Sequence, residues 1–210
     1  GKFRKAFTRF EQFSSYYFDG NYNRMQYTLT SNLNMKNNWN FNGQLVYKPR
    51  IYSNTVLQGG PRFRYSEEFF QYINFGSDGR KKVSYYGGIY HSEGRNSSFS
   101  YMEYDCGITY QPINALTISL SPNFQINKSK TQYVIGVDFG DNPRYITGAL
   151  SQQTLVATLR LDYSINPNLT IQYYGQPFIS KGKYDSFNYV SDARAKYYGD
   201  RITLFNPNQI

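Results

Sequence analysis

Between Leu155 and Ile165 the chain alternates so regularly that few folds can accommodate it. Leu155, Ala157, Leu159, Leu161, Tyr163 and Ile165 share one phase, and Thr158, Arg160, Asp162 and Ser164 lie on the other. Side chains along a strand alternate between faces with period two, so this segment has one apolar and one polar face. Asn166-Pro167-Asn168 then turns the chain, because proline presets φ and asparagine tolerates turn geometry. The second arm places Leu169, Ile171 and Tyr173 against Thr170, Gln172 and Tyr174. Two long amphipathic strands joined by a tight turn are the repeating unit of a transmembrane β-barrel.

The rhythm recurs along the chain. Met25, Tyr27, Leu29 and Leu33 oppose Arg24, Gln26, Thr28 and Asn32; Phe41 and Leu45 oppose Asn42, Gln44 and Lys48. Tyr104, Cys106 and Ile108 oppose Glu103 and Asp105, and Leu116, Ile118 and Leu120 oppose Thr117 and Ser119. The phases predict a lipid-facing set of Leu29, Leu33, Ile108, Leu116, Ile118, Leu120, Leu159, Leu161 and Ile171. They predict a lumen-facing set of Arg24, Lys48, Lys82, Glu103, Asp105, Arg160, Asp162 and Gln172. The lumen carboxylates are expected to pair with Arg or Lys. Residues 1–19 and 63–75 alternate less cleanly, residues 49–62 read as a longer loop, and residues 179–210 read as irregular and polar.

Short turns near residues 37, 77, 113 and 167 interleave with longer connections near 55, 95, 140 and after 178. Only the tight turn near residue 20 departs from this order. Short turns at one rim and long loops at the other are the outer-membrane pattern, with the short turns periplasmic. The fold class expected is all-β: an antiparallel transmembrane β-barrel, a partial one of about nine or ten strands within a larger barrel. Residues 1–210 then form the C-terminal part of that barrel domain. Phe205–Ile210 is not an amphipathic closing strand, so further strands are expected outside the sequence.

A mean hydropathy of −0.65 does not contradict this, since only alternate residues of such a barrel face lipid. No run approaches the roughly 20 apolar residues of a membrane helix. The net charge of +9 comes from scattered Arg and Lys rather than a basic element with interleaved aromatics, so nucleic acid is not an expected partner. Anionic lipid headgroups or a pore lining suit the charge better. Cys106 is the only cysteine, which excludes an internal disulfide and a multi-thiolate metal site.

Candidate chemistry is sparse. The single histidine, His91, precedes Ser92 and Glu93 and offers a fragment of a hydrolytic site. An interfacial polar residue beside a loop is the reading preferred. Glu67-Glu68, or Glu103 with Asp105, would be the carboxylates of a glycosidase. Asp138 to Asp141 lacks the spaced oxygen ligands of a calcium loop, and Gly87-Gly88 sits mid-strand, where a bend or close approach is the usual reason. No catalytic, cofactor or metal site is expected. The polar phase, rich in Tyr, Asn and Gln, suits sugars, which stack on rings and hydrogen-bond with amides, and suits equally an interior filled by its own hydrogen-bonded network.

Gly59-Gly60-Pro61, Asp78-Gly79-Arg80-Lys81-Lys82, Asn142-Pro143-Arg144-Tyr145, the stretch RLDYSINPNLTIQYYGQPFISKGKY and Asp200-Arg201 together carry a family resemblance. The chain resembles the C-terminal barrel region of a Bacteroidota outer-membrane family, the DUF5916 proteins, from roughly residue 20 onward and most specifically over residues 159–184. The resemblance implies a barrel preceded by a carbohydrate-binding-like β-sandwich, and no established activity. The expected location is the bacterial outer membrane. Expected partners are outer-membrane lipid and lipopolysaccharide, other outer-membrane proteins in a complex, and glycans. The expected role is a channel, transport accessory or scaffold, with a barrel-embedded hydrolase of surface glycans or lipids and a soluble β-sheet adhesin as alternatives.

Overall fold

A computed structural model describes residues 1–140 and 142–204. Asp141, in the longer connection expected near residue 140, and the expected non-strand end Phe205–Ile210 lie outside these. The described residues form one antiparallel sheet of thirteen strands. In chain order these are β1 (Phe3–Tyr16), β2 (Tyr22–Met35), β3 (Asn40–Lys48), β4 (Ile51–Ser53), β5 (Phe63–Tyr65), β6 (Glu68–Gly76) and β7 (Val83–Gly94). They continue as β8 (Phe99–Ile113), β9 (Leu116–Phe139), β10 (Asn142–Asn166), β11 (Leu169–Gly175), β12 (Phe178–Val190) and β13 (Ile202–Leu204).

Thirteen strands exceed the nine or ten expected, for a local reason. β11 and β12 both pair with β10 and are divided only at Gln176-Pro177, where proline has no N–H to give the ladder. Counting them once, nine long strands follow one another as a meander, and the surplus is three short pieces, β4, β5 and β13. β4 lies inside the expected 49–62 loop and pairs as a hairpin with β5, at the start of the expected 63–75 strand. The expectation of irregular structure from residue 179 is corrected: β12 runs to Val190 in register with Ile146–Val156 of β10.

The sheet is not closed into a barrel. Among the described residues β1 pairs only with β2, and β11 only with β10, so both flanks present free backbone groups. β9 and β10 reach 24 and 25 residues, far beyond the roughly 9–11 that span a bilayer. The end of β9, Thr131–Phe139, projects past β8 and pairs with β10 alone, toward the longer connection expected near residue 140.

Register lays the two phases onto two faces. One row across the sheet reads Arg9, Thr30, Gln44, Tyr72, Tyr90, Glu103, Gln125, Thr154 and Ser180, all polar or tyrosine. On the opposite phase, Tyr85, Ile108, Leu120 and Leu159 are successive partners, as are Tyr110, Ile118, Leu161 and Tyr173. The glycine pair in β7 is a close approach. A Cβ on Gly87 would meet the Phe75 ring at 2.9 Å, and one on Gly88 the Asp105 carboxylate at 2.5 Å.

Candidate functional site: a polar face roofed by a basic cavity

Exposure on the two faces is inverted relative to a sheet in water. Along β8, Tyr104, Cys106, Ile108 and Tyr110 are exposed, whereas Glu103, Asp105 and Thr109 between them are half-buried. Ile73 is 64% exposed and Ile89 50%. At the short-turn end Trp39 stacks on Phe41 and Phe75 at 6.2 and 6.1 Å and meets Tyr85 edge-on at 5.4 Å. The result is an aromatic cluster at the rim of the apolar face.

All nine residues expected to face lipid lie on this apolar phase. Leu29 pairs with Phe10 and Leu45, Leu33 with Ala6 and Phe41, and Leu116 with Ile113 and Tyr163, which in turn pairs with Ile171. The other five belong to the two apolar rows above.

The polar face is knit by side chains. Lys48 pairs with Glu68 at 2.9 Å, both largely shielded, and Ser92 donates to the same carboxylate at 2.9 Å. Lower down, Tyr101 donates to Glu103, which also accepts from Asn123 at 2.7 Å, and Asn42 donates to Asn74 at 2.7 Å. Asp162 accepts from Gln172 at 3.0 Å. Arg160 lies 5.5 Å from the centre of the Tyr174 ring, and Arg24 lies 5.3 Å from that of Phe13. Lys82 is exposed in the turn before β7, where its carbonyl accepts from the Gln111 amide. The expected pairing of Glu103 and Asp105 with Arg or Lys is not found among the described residues. Tyrosine and amide groups satisfy Glu103 instead.

Over the long-loop end the polar face is roofed. β5 and β12 stand nine places apart in the strand order, about 40 Å in a flat sheet at roughly 4.8 Å per strand. Yet the Arg64 amide donates to the Ala193 carbonyl at 2.8 Å, so the β4–β5 hairpin and the 191–201 segment meet over a curved sheet. Leu57, Phe63 and Ala193 form the buried centre of this roof, against Val56, Tyr133, Tyr145 and Val190. Arg201, 3% exposed, fastens it by donating to the carbonyls of Ala195, Lys196 and Arg64 at 2.8, 2.9 and 2.7 Å. Tyr198 shares a hydrogen bond with Thr131 at 2.9 Å.

Beneath and beside the roof opens a cavity of about 710 Å³. Five cationic side chains line it, Arg64, Arg95, Lys130, Lys196 and Arg201, against one carboxylate, Glu67. Arg95 pairs with Glu67 at 2.8 Å, and Lys130 donates to the Asn96 carbonyl at 3.0 Å. Burial, and then the Arg64 charge, hold the Arg201 guanidinium below its ordinary pKa. Apart from Arg201, which belongs to a family motif, sequence reasoning saw these cations as scattered charge; the loops that gather them join residues too far apart for any local pattern to reveal.

His91 and Ser92 are neighbours on β7 and therefore point to opposite faces. His91 bonds Gln71 at 3.1 Å on the apolar phase, while Ser92 turns inward to Glu68. The strand itself takes that hydrolytic fragment apart. Among the described residues no three His, Cys, Asp or Glu side chains gather as metal ligands.

Fold and site together define an all-β protein whose single antiparallel sheet carries an exposed apolar face and a hydrogen-bonded polar face under a basic roof. The chain belongs to the DUF5916 family, a domain of unknown function, whose model matches residues 2–200. None of the curated proteins and none of the solved structures matches it.

Proposed function

We propose that this chain forms part of an outer-membrane β-barrel. It serves as a channel, transport accessory or scaffold of a cell-surface complex, handles glycans, and performs no catalysis. The observation that carries the reading is the inverted exposure: apolar side chains stand outward along β7 and β8 while polar side chains of the opposite phase are half-buried. In water that face would be a large apolar patch in need of a cover. In hydrocarbon it is the favoured surface, and the aromatic cluster around Trp39 sits where amphipathic rings are favoured, at the interface.

Lipid and lipopolysaccharide are then the immediate partners, with other outer-membrane proteins meeting the projecting β9–β10 pair. The free flanks of β1 and β11 are paired by further strands in this reading, because each open backbone group in lipid costs several kcal/mol. The polar face, with Tyr72, Tyr90, Asn74 and Gln125, offers rings and amides to sugars. The separation of His91 from Ser92 favours this reading over a hydrolase.

Trp39, the only tryptophan, reports on the proposal directly. With the protein in vesicles, lipids brominated near the headgroup should quench its fluorescence, and planar bilayers should show conductance if the lumen is open. Unquenched Trp39 would exclude the membrane location; quenching without conductance would select the scaffold form.

A further inference from the structure

We infer that the basic cavity under the roof binds an acidic saccharide, one whose sugars carry carboxylate or sulfate groups. This deepens the glycan part of the proposed function and is independent of the membrane part. At about 710 Å³ the cavity lies within the range of small-ligand sites and has room for a short oligosaccharide.

Its charges are unequally occupied. Arg201 is committed to three main-chain carbonyls, Arg95 to Glu67 and Lys130 to Asn96. Arg64 is half-buried and, among the described residues, has no acceptor for its guanidinium, although it acts electrostatically on Arg201. A partly desolvated cation without a counter-ion, beside a second cation, is costly, and an anion entering the cavity relieves both. The planar guanidinium fork matches carboxylate or sulfate with two parallel hydrogen bonds. Lys196, 5.4 Å from the Tyr197 ring centre, supplies a second positive charge.

The remaining lining argues for a sugar rather than a bare anion. Tyr65, Tyr197 and Tyr198 bring rings and hydroxyls to the same space. Burial holds the Tyr65 and Tyr198 phenols above their ordinary pKa, so both remain neutral donors. A free inorganic anion would use one guanidinium and leave the rings without a partner, whereas a sugar ring can stack on them and place its acid group on Arg64.

The test is calorimetric titration of the full chain in detergent with four probes. These are a short oligogalacturonate, a sulfated oligosaccharide, a neutral oligogalactoside of equal length, and inorganic phosphate. At least one acidic sugar should bind about tenfold or more tightly than the neutral one, and more weakly as salt rises. Arg64→Gln and Lys196→Gln should each weaken it about tenfold, whereas Lys183→Gln, exposed on β12, should not. Circular dichroism confirms that each variant keeps its sheet. Binding of neither acidic sugar, equal binding of the neutral sugar, or an unchanged Arg64→Gln overturns the proposal. Phosphate binding as tight as the sugar reassigns the cavity to a free or lipid-borne phosphate and also overturns it. Acidic-sugar binding by a protein whose Trp39 stays unquenched would remove the membrane reading and leave this one standing.

Discussion

The guanidinium of Arg201 donates to the main-chain oxygen of Arg64 at 2.7 Å, joining points 137 residues apart. That bond ties the last described segment to a hairpin near the start of the sheet. It holds the roof over the long-loop end of an otherwise open sheet.

Removing the fastener should loosen the roof and leave the sheet. Arg201→Met leaves three carbonyls without their donor, and a buried unsatisfied group costs about 1–3 kcal/mol. A loss of about 3 kcal/mol is expected, read as faster proteolysis within residues 191–204 while far-ultraviolet dichroism stays constant. Arg201→Lys should not rescue it, because an ammonium cannot reproduce the planar fork.

Gly60 lies beneath the Tyr145 ring: a Cβ there would stand 2.6 Å from the nearest ring carbon and 2.9 Å from the Leu57 Cβ. Gly60→Ala should therefore destabilise the roof by about 2 kcal/mol through overpacking. Pairing it with Tyr145→Leu, which removes the ring, should recover part of that loss in a urea titration.

Asp78, in the turn before β7, accepts from the Arg80 amide at 3.1 Å and from its guanidinium at 3.0 Å, and Asn38 adds a further bond. Hydrogen bonding from Arg80, chiefly, holds its carboxyl well below the usual carboxylate range. A depressed carboxylate stabilises fully above its unfolded pKa of about 4 and loses that contribution as pH falls toward its folded value. Wild type should exceed Asp78→Asn in stability at neutral pH, and the gap should narrow from about pH 5 downward. A gap that widens on acidification would contradict the assignment.

Ile108 and Thr109 are neighbours on opposite faces of β8. If the exposed face meets lipid, Ile108→Arg should cost about 2–4 kcal/mol in vesicle unfolding, and Thr109→Arg far less. Equal, small effects at both positions would place the apolar face in water or against protein.

Several family motifs that read in sequence only as loops and turns acquire a tertiary role here. Gly59-Gly60-Pro61 and Tyr145 meet in the roof, Arg201 locks it, and Asp78 with Arg80 braces a turn. β1 and the first part of β12 alternated poorly in sequence, because each stands at a flank of the sheet where nearly every side chain is exposed. The ion pairs expected for Glu103 and Asp105 failed for another reason. Which groups lie within reach depends on the neighbouring strand's register, and that register put Asn123 and a tyrosine hydroxyl beside Glu103.

Sequence alone determined most of the long strands and their two faces, because side-chain period is a local property of an extended backbone. The tertiary structure decided the free flanks, the curvature, the roof and the gathering of five cations around one cavity. Those features depend on which distant loops meet when the sheet bends. No two-residue rhythm encodes a contact such as that between Arg64 and Arg201.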